Sequence, residues 1–287
     1  MQHQPLVSVL MTSYNREIYI AEAIESVLAS TYQNFELIIV DDRSKDKTLN
    51  IAKAYSEKDS RIKVYQNEKN LGDYGNRNKA AGYATGYYIM HLDSDDTIFK
   101  DGIEKCVACM EQFPEAHFGM INYYIQEPQV FESSKAIRDH LFGIPFMGIG
   151  PGGTIIKRAY FEQLNGFPEK YGPANDMYFN LKASSTSNIV MLPFEFHYYR
   201  RHDGQEINNY FSYLYNNYLY LKDALEDLNL YLTDKEKKWL GNKNNRRFMT
   251  NITKYLFRSK NFFKVKEAIQ RTGFGFRDAL SGIFHLN

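Results

Sequence analysis

Three carboxylates stand within four residues, directly after an apolar run of the chain. Asp93, Asp95 and Asp96 follow the apolar run at residues 87–92. Like charges this close repel one another, and that repulsion costs stability in an empty site. Carboxylate oxygens are the ligands that hard cations such as Mg²⁺ and Mn²⁺ prefer. The cluster therefore predicts a divalent-cation site, with helix capping by Ser94 or Asp96 as the plainer alternative.

Polar residues also follow two other apolar runs. Residues 12–16 follow the run 6–11, and Asp41 and Asp42 follow the run 35–40. Such runs, rich in Val and Ile, are typical of strands buried on both faces of a sheet. In open α/β sheets, ligands bind outside the carboxyl ends of the strands. We therefore expect the three polar clusters to converge on one rim.

The elements that position this rim alternate along the first half of the chain. Repeated strand–helix units form a parallel sheet with right-handed crossovers. No G-x-G-x-x-G follows the first strand, which argues against a classical dinucleotide fold. We predict an α/β fold: a Rossmann-like, mostly parallel sheet flanked by helices. The predicted strands are 6–11, 35–40, 61–65 and 87–92, and the predicted helices are 18–29, 47–57 and 75–84.

Beyond residue 117 the pattern changes to short strands and then to helices. Residues 142–153 contain five glycines and two prolines, which predicts a loop or a bent segment facing a ligand. We divide the chain into a domain of residues 1–207 and a helical extension of residues 208–287. The predicted strands here are 118–123, 154–156 and 189–199, and the predicted helices are 210–230 and 233–240.

The charge of the 287-residue chain is unevenly distributed. The net charge is +1, which argues against a uniformly basic nucleic-acid-binding protein. Residues 235–287, however, carry 13 basic and 3 acidic side chains, interleaved with aromatic residues. This combination suits an anionic membrane surface, a partner protein or an oligomer interface. A solvated charged face over an apolar contact explains it equally well.

Cysteine content and hydropathy indicate the compartment. Two cysteines, Cys106 and Cys109, cannot build a disulfide framework, which favours a reducing environment. Their spacing within a predicted helix favours core packing over a metal or redox site. No run approaches the roughly 18 apolar residues of a membrane span, and no signal peptide is evident. We expect a cytoplasmic protein, with a peripheral place at the inner face of the cell membrane left open.

The order and spacing of three stretches carry a family resemblance. In chain order they are SVLMTSYNR (8–16), FELIIVDDRSKDKT (35–48) and NRNKAAGYATGYYIMHLDSDD (76–96). Over about residues 6–202 the chain resembles family 2 glycosyltransferases of the type that makes bacterial cell-surface polysaccharides. The resemblance implies a GT-A fold, an inverting reaction, a Mn²⁺ or Mg²⁺ cofactor, and a nucleotide-sugar donor, here a UDP-sugar.

The resemblance also implies roles for residues at the rim. Thr12, Tyr14 and Arg16 match the loop that holds the nucleotide. Asp42 matches the acid that contacts uracil, where a carboxylate can accept from a base N–H. Arg77 matches the arginine beside the donor. Asn76 replaces the alanine that the family usually has before this arginine.

The acidic cluster takes its roles from the same resemblance. Asp93 matches the acid that contacts both the ribose and the metal shell, and Asp95 matches the principal metal ligand. Asp96 could share the latter role or cap the following helix. Asp41 and Asn78 have structural explanations that are at least as simple.

The remaining predicted site residues come from the second half of the chain. The family carries its base in an acidic pair about 80 residues after the metal acids, and Asp176 occupies that place. Here Asn175 replaces the first acid, and a helix cap is the alternative role. Gly153 matches the segment beside the sugar and acceptor, unless it belongs only to a turn. Arg200 and His202 match a stretch that binds the diphosphate or completes the metal shell.

The resemblance implies a glycosyltransferase that moves a hexosyl or N-acetylhexosaminyl group. The donor would be a nucleotide sugar and the acceptor a hydroxyl of a glycan or glycolipid, with no nucleic acid involved. Two alternatives stay open. One is a protein that binds nucleotide sugar without transferring it. The other is a nucleotidyltransferase, which would usually carry a glycine-rich, basic loop after the first strand.

Overall fold

A computed structural model describes residues 4–202, 205 and 209–284 of the chain. They form two compact units, each of which draws on two separate segments. The first unit comprises the chain up to Phe167 together with Thr186–Arg201. The second comprises Pro168–Ser185 together with the chain from His202 onward.

The first unit is built on an eight-stranded sheet. The strands of this unit are β1 (Val7–Ser13), β2 (Phe35–Asp41), β3 (Ile62–Gln66), β4 (Tyr88–Asp93), β5 (Thr97–Ile98), β6 (Phe118–Ile121), β7 (Gln129–Phe131), β8 (Thr154–Lys157), β9 (Ile189–Leu192) and β10 (His197–Tyr198). The strand order in the large sheet is β3-β2-β1-β4-β8-β6-β9-β7, and β10 pairs with β5 in a separate two-stranded sheet. The pairs β1–β2, β1–β4 and β2–β3 are parallel, as predicted, and β8 runs antiparallel to both β4 and β6.

Helices cover this sheet, and their apolar faces supply its core. In the first helix, Ile20, Ala23, Ile24 and Val27 are all buried, which is the i, i+3, i+4, i+7 pattern of one helix face. The helices of this unit are α1 (Ile20–Leu28), α2 (Thr48–Ser56), α3 (Asp73–Ala81), α4 (Gly102–Gln112), α5 (Ser133–Phe142) and α6 (Arg158–Gln163), with a 3₁₀ turn at Pro151–Gly153. Cys106 and Cys109 are buried in α4 as free thiols, so the prediction of core packing is confirmed.

A buried carboxylate on β2 links both neighbouring strands, β1 and β3, to the loop before β4. Glu36 Oε1 accepts hydrogen bonds from Ser8 Oγ at 2.6 Å and from the backbone N–H of Thr85 at 2.7 Å. Its Oε2 accepts from Lys63 Nζ at 2.6 Å. Burial alone would raise the pKa of Glu36, but these hydrogen bonds outweigh burial and lower it to about 2.

The second unit is helical, with a small aromatic core. Leu214, Tyr218, Phe248, Ala268 and Phe274 are buried together. The helices are α7 (Asn175–Thr186, whose last residue lies in the first unit), α8 (Tyr210–Asp227), α9 (Asp234–Ser259), α10 (Phe262–Thr272) and α11 (Phe276–Phe284), with a 3₁₀ turn at Gly172–Ala174. In the part of the chain that the structure describes, no helix combines the length and apolar character that a membrane span requires.

Three differences from the sequence-based prediction concern the second half of the chain. The predicted strand 189–199 is two strands, β9 and β10, separated by a turn that contains Pro193. The predicted helix 233–240 is longer in the structure and continues to Ser259. A Thr233–Glu236 capping box marks its start, and beyond Gly241 no glycine or proline interrupts it. The predicted division at 207/208 falls beside residues outside the described part of the chain. The division by contacts instead follows Arg201, and it assigns Pro168–Ser185 to the second unit.

Candidate functional site

The strand register brings the predicted rim together at one edge of the sheet. Thr12 on β1 is the register partner of Asp93 on β4, and Ser13 is the partner of Asp41 on β2. Because β1, β2 and β4 are parallel and adjacent, their carboxyl ends meet at the same edge. The polar clusters after these three strands therefore share one rim, as the sequence predicts.

The three acids form a compact cluster on this rim. Asp93 ends β4, and the backbone N–H of Asp96 bonds the Asp93 carbonyl at 2.9 Å, which closes a tight turn. One carboxylate oxygen from each of Asp93, Asp95 and Asp96 lies within 4.8 Å of the others. The turn thus aims side chains that an extended strand would send to opposite faces. It supplies three oxygen donors of the kind that Mg²⁺ or Mn²⁺ binds.

Arg77 is the buried cation behind this cluster. Its Nη2 donates a 2.6 Å hydrogen bond to Asp93 Oδ1, and its Nε lies 3.0 Å from Asp73 Oδ1 in an ion pair one helical turn away. Only 4% of Arg77 is exposed. Burial opposes its charged form, but Asp73 and Asp93 outweigh burial and raise its pKa above the ordinary value. Among the described residues, Arg77 Nη1 has no hydrogen-bond partner. A buried donor without a partner is what an anionic ligand would satisfy.

Arg16 approaches the acids from the loop after β1. Its Nε donates a 2.9 Å hydrogen bond to Asp95 Oδ2, while its Nη1 bonds the Tyr14 carbonyl at 3.2 Å. The loop is fixed by the backbone N–H of Arg16, which bonds Thr48 Oγ1 at 2.7 Å, and by Asn15, whose φ is +54°. Thr12 is buried at the end of β1, and Tyr14 is 40% exposed. The predicted nucleotide loop therefore borders the acid cluster directly.

Arg200 reaches the cluster from the segment after β10. Its backbone N–H donates to Asp96 Oδ1 at 2.9 Å, and its Nε donates to the Asp95 carbonyl at 2.8 Å. Its Nη2 pairs with Glu22 at the start of α1, at 2.6 Å. Arg200 therefore fastens the acid-bearing turn to α1, and its side chain is already engaged by protein groups.

The electrostatics of the cluster favour a bound cation. Burial, Asp73 and Asp95 raise the pKa of Asp93, against the opposing effect of Arg77. Burial and the neighbouring Asp93 and Asp95 raise the pKa of Asp96 to about 7, although the Arg200 N–H opposes the shift. A divalent cation among the three carboxylates would relieve this repulsion. The donor set and its spacing therefore fit a magnesium-type ion.

Asp42 accepts hydrogen bonds from protein groups, which a role in base contact alone would not require. Its Oδ1 accepts the backbone N–H of Leu71 at 2.8 Å, and its Oδ2 accepts that of Gly72 at 2.9 Å. Asn67 Nδ2 adds a third bond, to Oδ1, at 2.8 Å. Asp42 thus anchors the turn before α3, where Gly72 has a φ of +78°. This anchoring orients the helix that carries Arg77.

The neighbouring polar residues have structural partners. Asp41 Oδ2 accepts from the Ser44 N–H at 3.0 Å, which fits a turn-forming acid. Asn78 exchanges two 2.9 Å hydrogen bonds with the backbone of Phe167. Asn76, which stands where the family usually has alanine, donates to the Val40 carbonyl at 3.0 Å and accepts from Asn67 at 2.9 Å. Asn76 thus holds α3 against β2, and Asn78 ties α3 to the segment after α6.

Gly153 lies at the end of the glycine-rich segment, in a 3₁₀ turn that leads into β8. A Cβ on Gly153 would lie 2.3 Å from Ile149 Cγ2, so a larger residue there would force Ile149 to move. A Cβ on the preceding Gly152 would lie 3.4 Å from His197 Nε2 and 3.8 Å from the His91 carbonyl. The backbone at Gly152 therefore runs beside β4 and β10, close to the acid-bearing rim.

Two predicted site residues belong to the second unit. Asp176 is half-buried in the first turn of α7, where its Oδ1 accepts the Met177 N–H at 2.6 Å. Asn175 accepts the Tyr171 N–H at 2.8 Å and so fixes the turn before the helix. His202 stands at the start of the unit's second segment, where its backbone N–H bonds Gln205 at 3.0 Å.

Sequence reasoning missed several residues that hold the rim in place. Asp73 pairs with Arg77 at i, i+4 spacing, a signal that was available on the predicted helix. Glu22 and Tyr19 both contact the side chain of Arg200 from the start of α1. No local pattern announces a contact between residues that are about 180 positions apart.

Comparisons with known proteins identify the family to which the chain is similar. The model of the family described as "Glycosyl transferase family 2" matches residues 8–165. An uncharacterised glycosyltransferase of Haemophilus influenzae is 30% identical over 225 residues, which are 73% of this chain and 70% of that protein. WfgD of Escherichia coli, named as a UDP-Glc:α-D-GlcNAc-diphosphoundecaprenol β-1,3-glucosyltransferase, is 33% identical over 196 residues, covering 65% of this chain and 73% of WfgD.

Solved structures agree on the architecture. Residues 1–349 of TarS from S. aureus, crystallised with UDP-GlcNAc, match with a TM-score of 0.71 at 23% identity. The match covers 93% of this chain and 79% of that one, and it supports the GT-A fold. Several other curated relatives are 42–46% identical over 102–113 residues, which is less than half of their own length.

Proposed function

This chain belongs to glycosyl transferase family 2 and is a glycosyltransferase, and we propose that it transfers a sugar from a UDP-sugar to a hydroxyl acceptor and inverts the anomeric centre. One observation carries the proposal. Three clustered carboxylates and the buried cation of Arg77 share the rim at the carboxyl ends of β1, β2 and β4. That rim combines oxygen ligands for a divalent cation with a buried donor for an anion.

The rim residues divide the work of holding the donor. Arg77 offers its Nη1 to the diphosphate, and the Thr12–Arg16 loop borders the nucleotide. Asp42 positions α3 and contributes to the base pocket through its remaining lone pairs. The names of two similar proteins support uridine as the nucleoside, because WfgD is named for UDP-Glc and TarS was crystallised with UDP-GlcNAc.

Asp93 and Asp95 would hold Mn²⁺ or Mg²⁺, with Asp96 beside them and His202 as a further ligand. When bound, the ion would offset the negative charge that develops on the leaving diphosphate. Arg16 and Arg200 already bond this turn, through Asp95 Oδ2 and the Asp95 carbonyl. They orient the acids, so that less reorganisation is needed when the ion and the donor arrive.

Asp176 is the general base of the proposed reaction. The acceptor oxygen attacks the anomeric carbon as the bond from that carbon to the diphosphate oxygen breaks. The proton of the acceptor hydroxyl passes to a carboxylate oxygen of Asp176, and a single displacement inverts the anomeric centre. The first-turn position on α7 supports this role, because Asn175 fixes the turn that presents the carboxylate.

A hydroxyl of a glycan or a glycolipid is the proposed acceptor. The lipid-linked sugar in the name of WfgD supports this class. The family match favours neither the nucleotidyltransferase nor a protein that binds nucleotide sugar without transferring it.

The test uses one panel and one variant pair. A thermal-shift panel of nucleotide sugars with Mn²⁺ identifies the donor, because stabilisation follows affinity. Transfer or slow donor hydrolysis is then measured for the wild type, Asp176→Ala and Asp234→Ala. Asp234 is the control, an exposed first-turn acid of α9 in the same unit.

We expect Asp176→Ala to lower kcat by about 100-fold or more, while the melting-temperature shift with the donor stays unchanged. Asp234→Ala should match the wild type. Full activity in Asp176→Ala would refute the base assignment. If no UDP compound stabilises the protein, the donor assignment is wrong. If the protein only binds nucleotide sugars, neither transfer nor hydrolysis will be detected.

A further inference from the structure

The second unit carries three phenylalanines at the corner between α9 and α10. Phe257 lies in the last turn of α9, and Phe262 and Phe263 are the first two residues of α10. Their exposed fractions are 79%, 70% and 87%. We call these three residues the Phe corner. Large aromatic side chains rarely stay this exposed without a binding role when they cluster in one place.

The Phe corner is not part of the core of its unit. The core is already filled by Leu214, Tyr218, Phe248, Ala268 and Phe274. Helix α10 contributes Ala268 and Thr272 to the buried side, while its first two residues are exposed. Folding of the unit therefore does not account for the three exposed rings.

The backbone of the corner is ordered by caps at both helix ends. Lys260 adopts the left-handed conformation, with φ +53°, and its N–H bonds the Leu256 carbonyl at 2.8 Å. Asn261 Oδ1 then accepts the Lys264 N–H at 3.0 Å and caps α10. The rings thus project from two capped helix ends and do not belong to frayed termini.

Positive charge surrounds the Phe corner. Between Glu236 and Glu267 the sequence contains ten lysines and arginines and no acidic residue. Cations in the last turn of α9 also complement the negative end of its helix dipole. Five exposed cations lie within four residues of one of the rings: Lys254, Arg258, Lys260, Lys264 and Lys266.

We propose that the Phe corner docks the protein on an anionic lipid bilayer. The rings enter the interface between headgroups and acyl chains, and the surrounding lysines and arginine contact lipid phosphates. Exposed aromatics combined with clustered basic residues match the two contributions that drive interfacial binding, apolar burial and attraction to anionic lipid. The proposal does not depend on the reaction proposed above, because it involves only helices α9 and α10.

Co-sedimentation of the full chain with vesicles tests the proposal. One vesicle set contains phosphatidylcholine with phosphatidylglycerol, and the other contains phosphatidylcholine alone. We expect the wild type to partition at least tenfold more strongly onto the anionic vesicles, with binding that weakens as salt rises. Phe262→Ala/Phe263→Ala should lower partitioning about tenfold or more. Lys264→Gln/Lys266→Gln should lower it several-fold and reduce its salt dependence.

The matched control removes two exposed aromatics from the first unit. Tyr123 and Tyr124 are 59% and 62% exposed, and Tyr123→Ala/Tyr124→Ala should partition within about twofold of the wild type. Thermal unfolding of each variant establishes that the fold is intact. If the phenylalanine variant partitions like the wild type, the proposal is wrong.

Two other occupants would also overturn the proposal. If the wild type forms a dimer in light scattering that the phenylalanine variant loses, and it ignores vesicles, the corner is an interface between copies. If the corner variants lose binding to single-stranded RNA while the wild type ignores vesicles, the corner is a nucleic-acid site. Failure in any of these ways would leave the transfer assay on UDP-sugars unaffected.

Discussion

The Nη2 atom of Arg77 lies 2.6 Å from Oδ1 of Asp93, and this pair joins α3 to the carboxyl end of β4. Only 5% of the Arg77 side chain is exposed, against 31% of the Asp93 side chain. The pair is thus buried on the arginine side and open on the aspartate side. A ligand can reach the carboxylate while the guanidinium holds it in place from behind.

We expect Arg77→Met to lower the free energy of unfolding by about 2 kcal/mol, the range of hydrogen bonds to charged groups. The variant loses the cation that pairs with Asp93 and Asp73, so the repulsion among the neighbouring carboxylates is no longer offset. The double variant Arg77→Met/Asp93→Asn should recover part of this loss. Urea denaturation of the three proteins measures both effects.

The exposed pair Lys105–Asp101 in α4 provides the control for that experiment, because both of its side chains are about half exposed. Lys105→Met should change the free energy of unfolding by no more than about 0.5 kcal/mol. Equal losses for Arg77→Met and Lys105→Met would show that the Arg77 pair contributes no more than a surface pair.

We expect Asp42→Asn to destabilise the fold as well as to weaken donor binding. The carboxylate accepts two backbone N–H groups and one amide, and an asparagine would direct its own NH₂ at one of these donors. The cost should be about 1–3 kcal/mol in urea denaturation. If the variant loses donor affinity while its unfolding free energy is unchanged, Asp42 acts on the base alone.

We expect Mn²⁺ to bind the wild type and to raise its melting temperature when UDP is present. Asp95→Asn should weaken the affinity for Mn²⁺ about tenfold or more in calorimetric titration, because it removes one of the three clustered carboxylates of the rim. Asp101→Asn should titrate like the wild type, because Asp101 is a half-exposed acid just before α4 and outside the cluster. Wild-type affinity in Asp95→Asn would exclude that residue as a ligand.

The stability of the fold should depend on pH through Glu36. Its pKa is about 2 in the folded protein, below the ordinary value near 4.3 of an unfolded chain. The stabilisation is therefore complete above about pH 4.5, and it is lost as the pH falls towards 2. At pH 7 we expect Glu36→Gln to be less stable by on the order of 3 kcal/mol, which is the free energy that corresponds to this lowering of the pKa.

Denaturation of wild type and Glu36→Gln at a series of pH values measures this dependence. The difference between the two proteins should be constant from pH 7 to about 5 and should narrow below pH 4.5. A difference that stays constant down to pH 3 would mean that the Glu36 carboxylate is not selectively stabilised by folding.

Local patterns were enough to predict the first half of the fold. Strands β1 and β2 are continuous apolar runs because both of their faces are covered, and α1 shows its buried face as a periodic apolar stripe. The rim could be predicted because parallel strands in adjacent positions end at one edge. The acid cluster was evident because three carboxylates so close together serve few structural purposes.

What the sequence could not reveal depends on contacts between distant residues. The bonds from Arg16 to Asp95 and from Arg200 to Asp96 link residues 79 and 104 positions apart. The anchoring role of Asp42 arises from backbone N–H groups, which carry no side-chain signature. For the same reason, local patterns do not group residues 168–185 with the helical part of the chain. Their attachment to α8 rests on Lys170 and Tyr171, which both contact Asp223.

The discontinuity of the second unit has a consequence for the order in which the protein matures on the ribosome. Its first segment, with α7 and Asp176, is synthesised before its partners, including Asp223 on α8 and Tyr231, whose hydroxyl bonds the Ser185 carbonyl at 3.1 Å. The first unit has all of its residues once Arg201 has been made. The nascent chain can therefore complete its acidic rim while the segment that carries the proposed base still awaits the helices that will hold it.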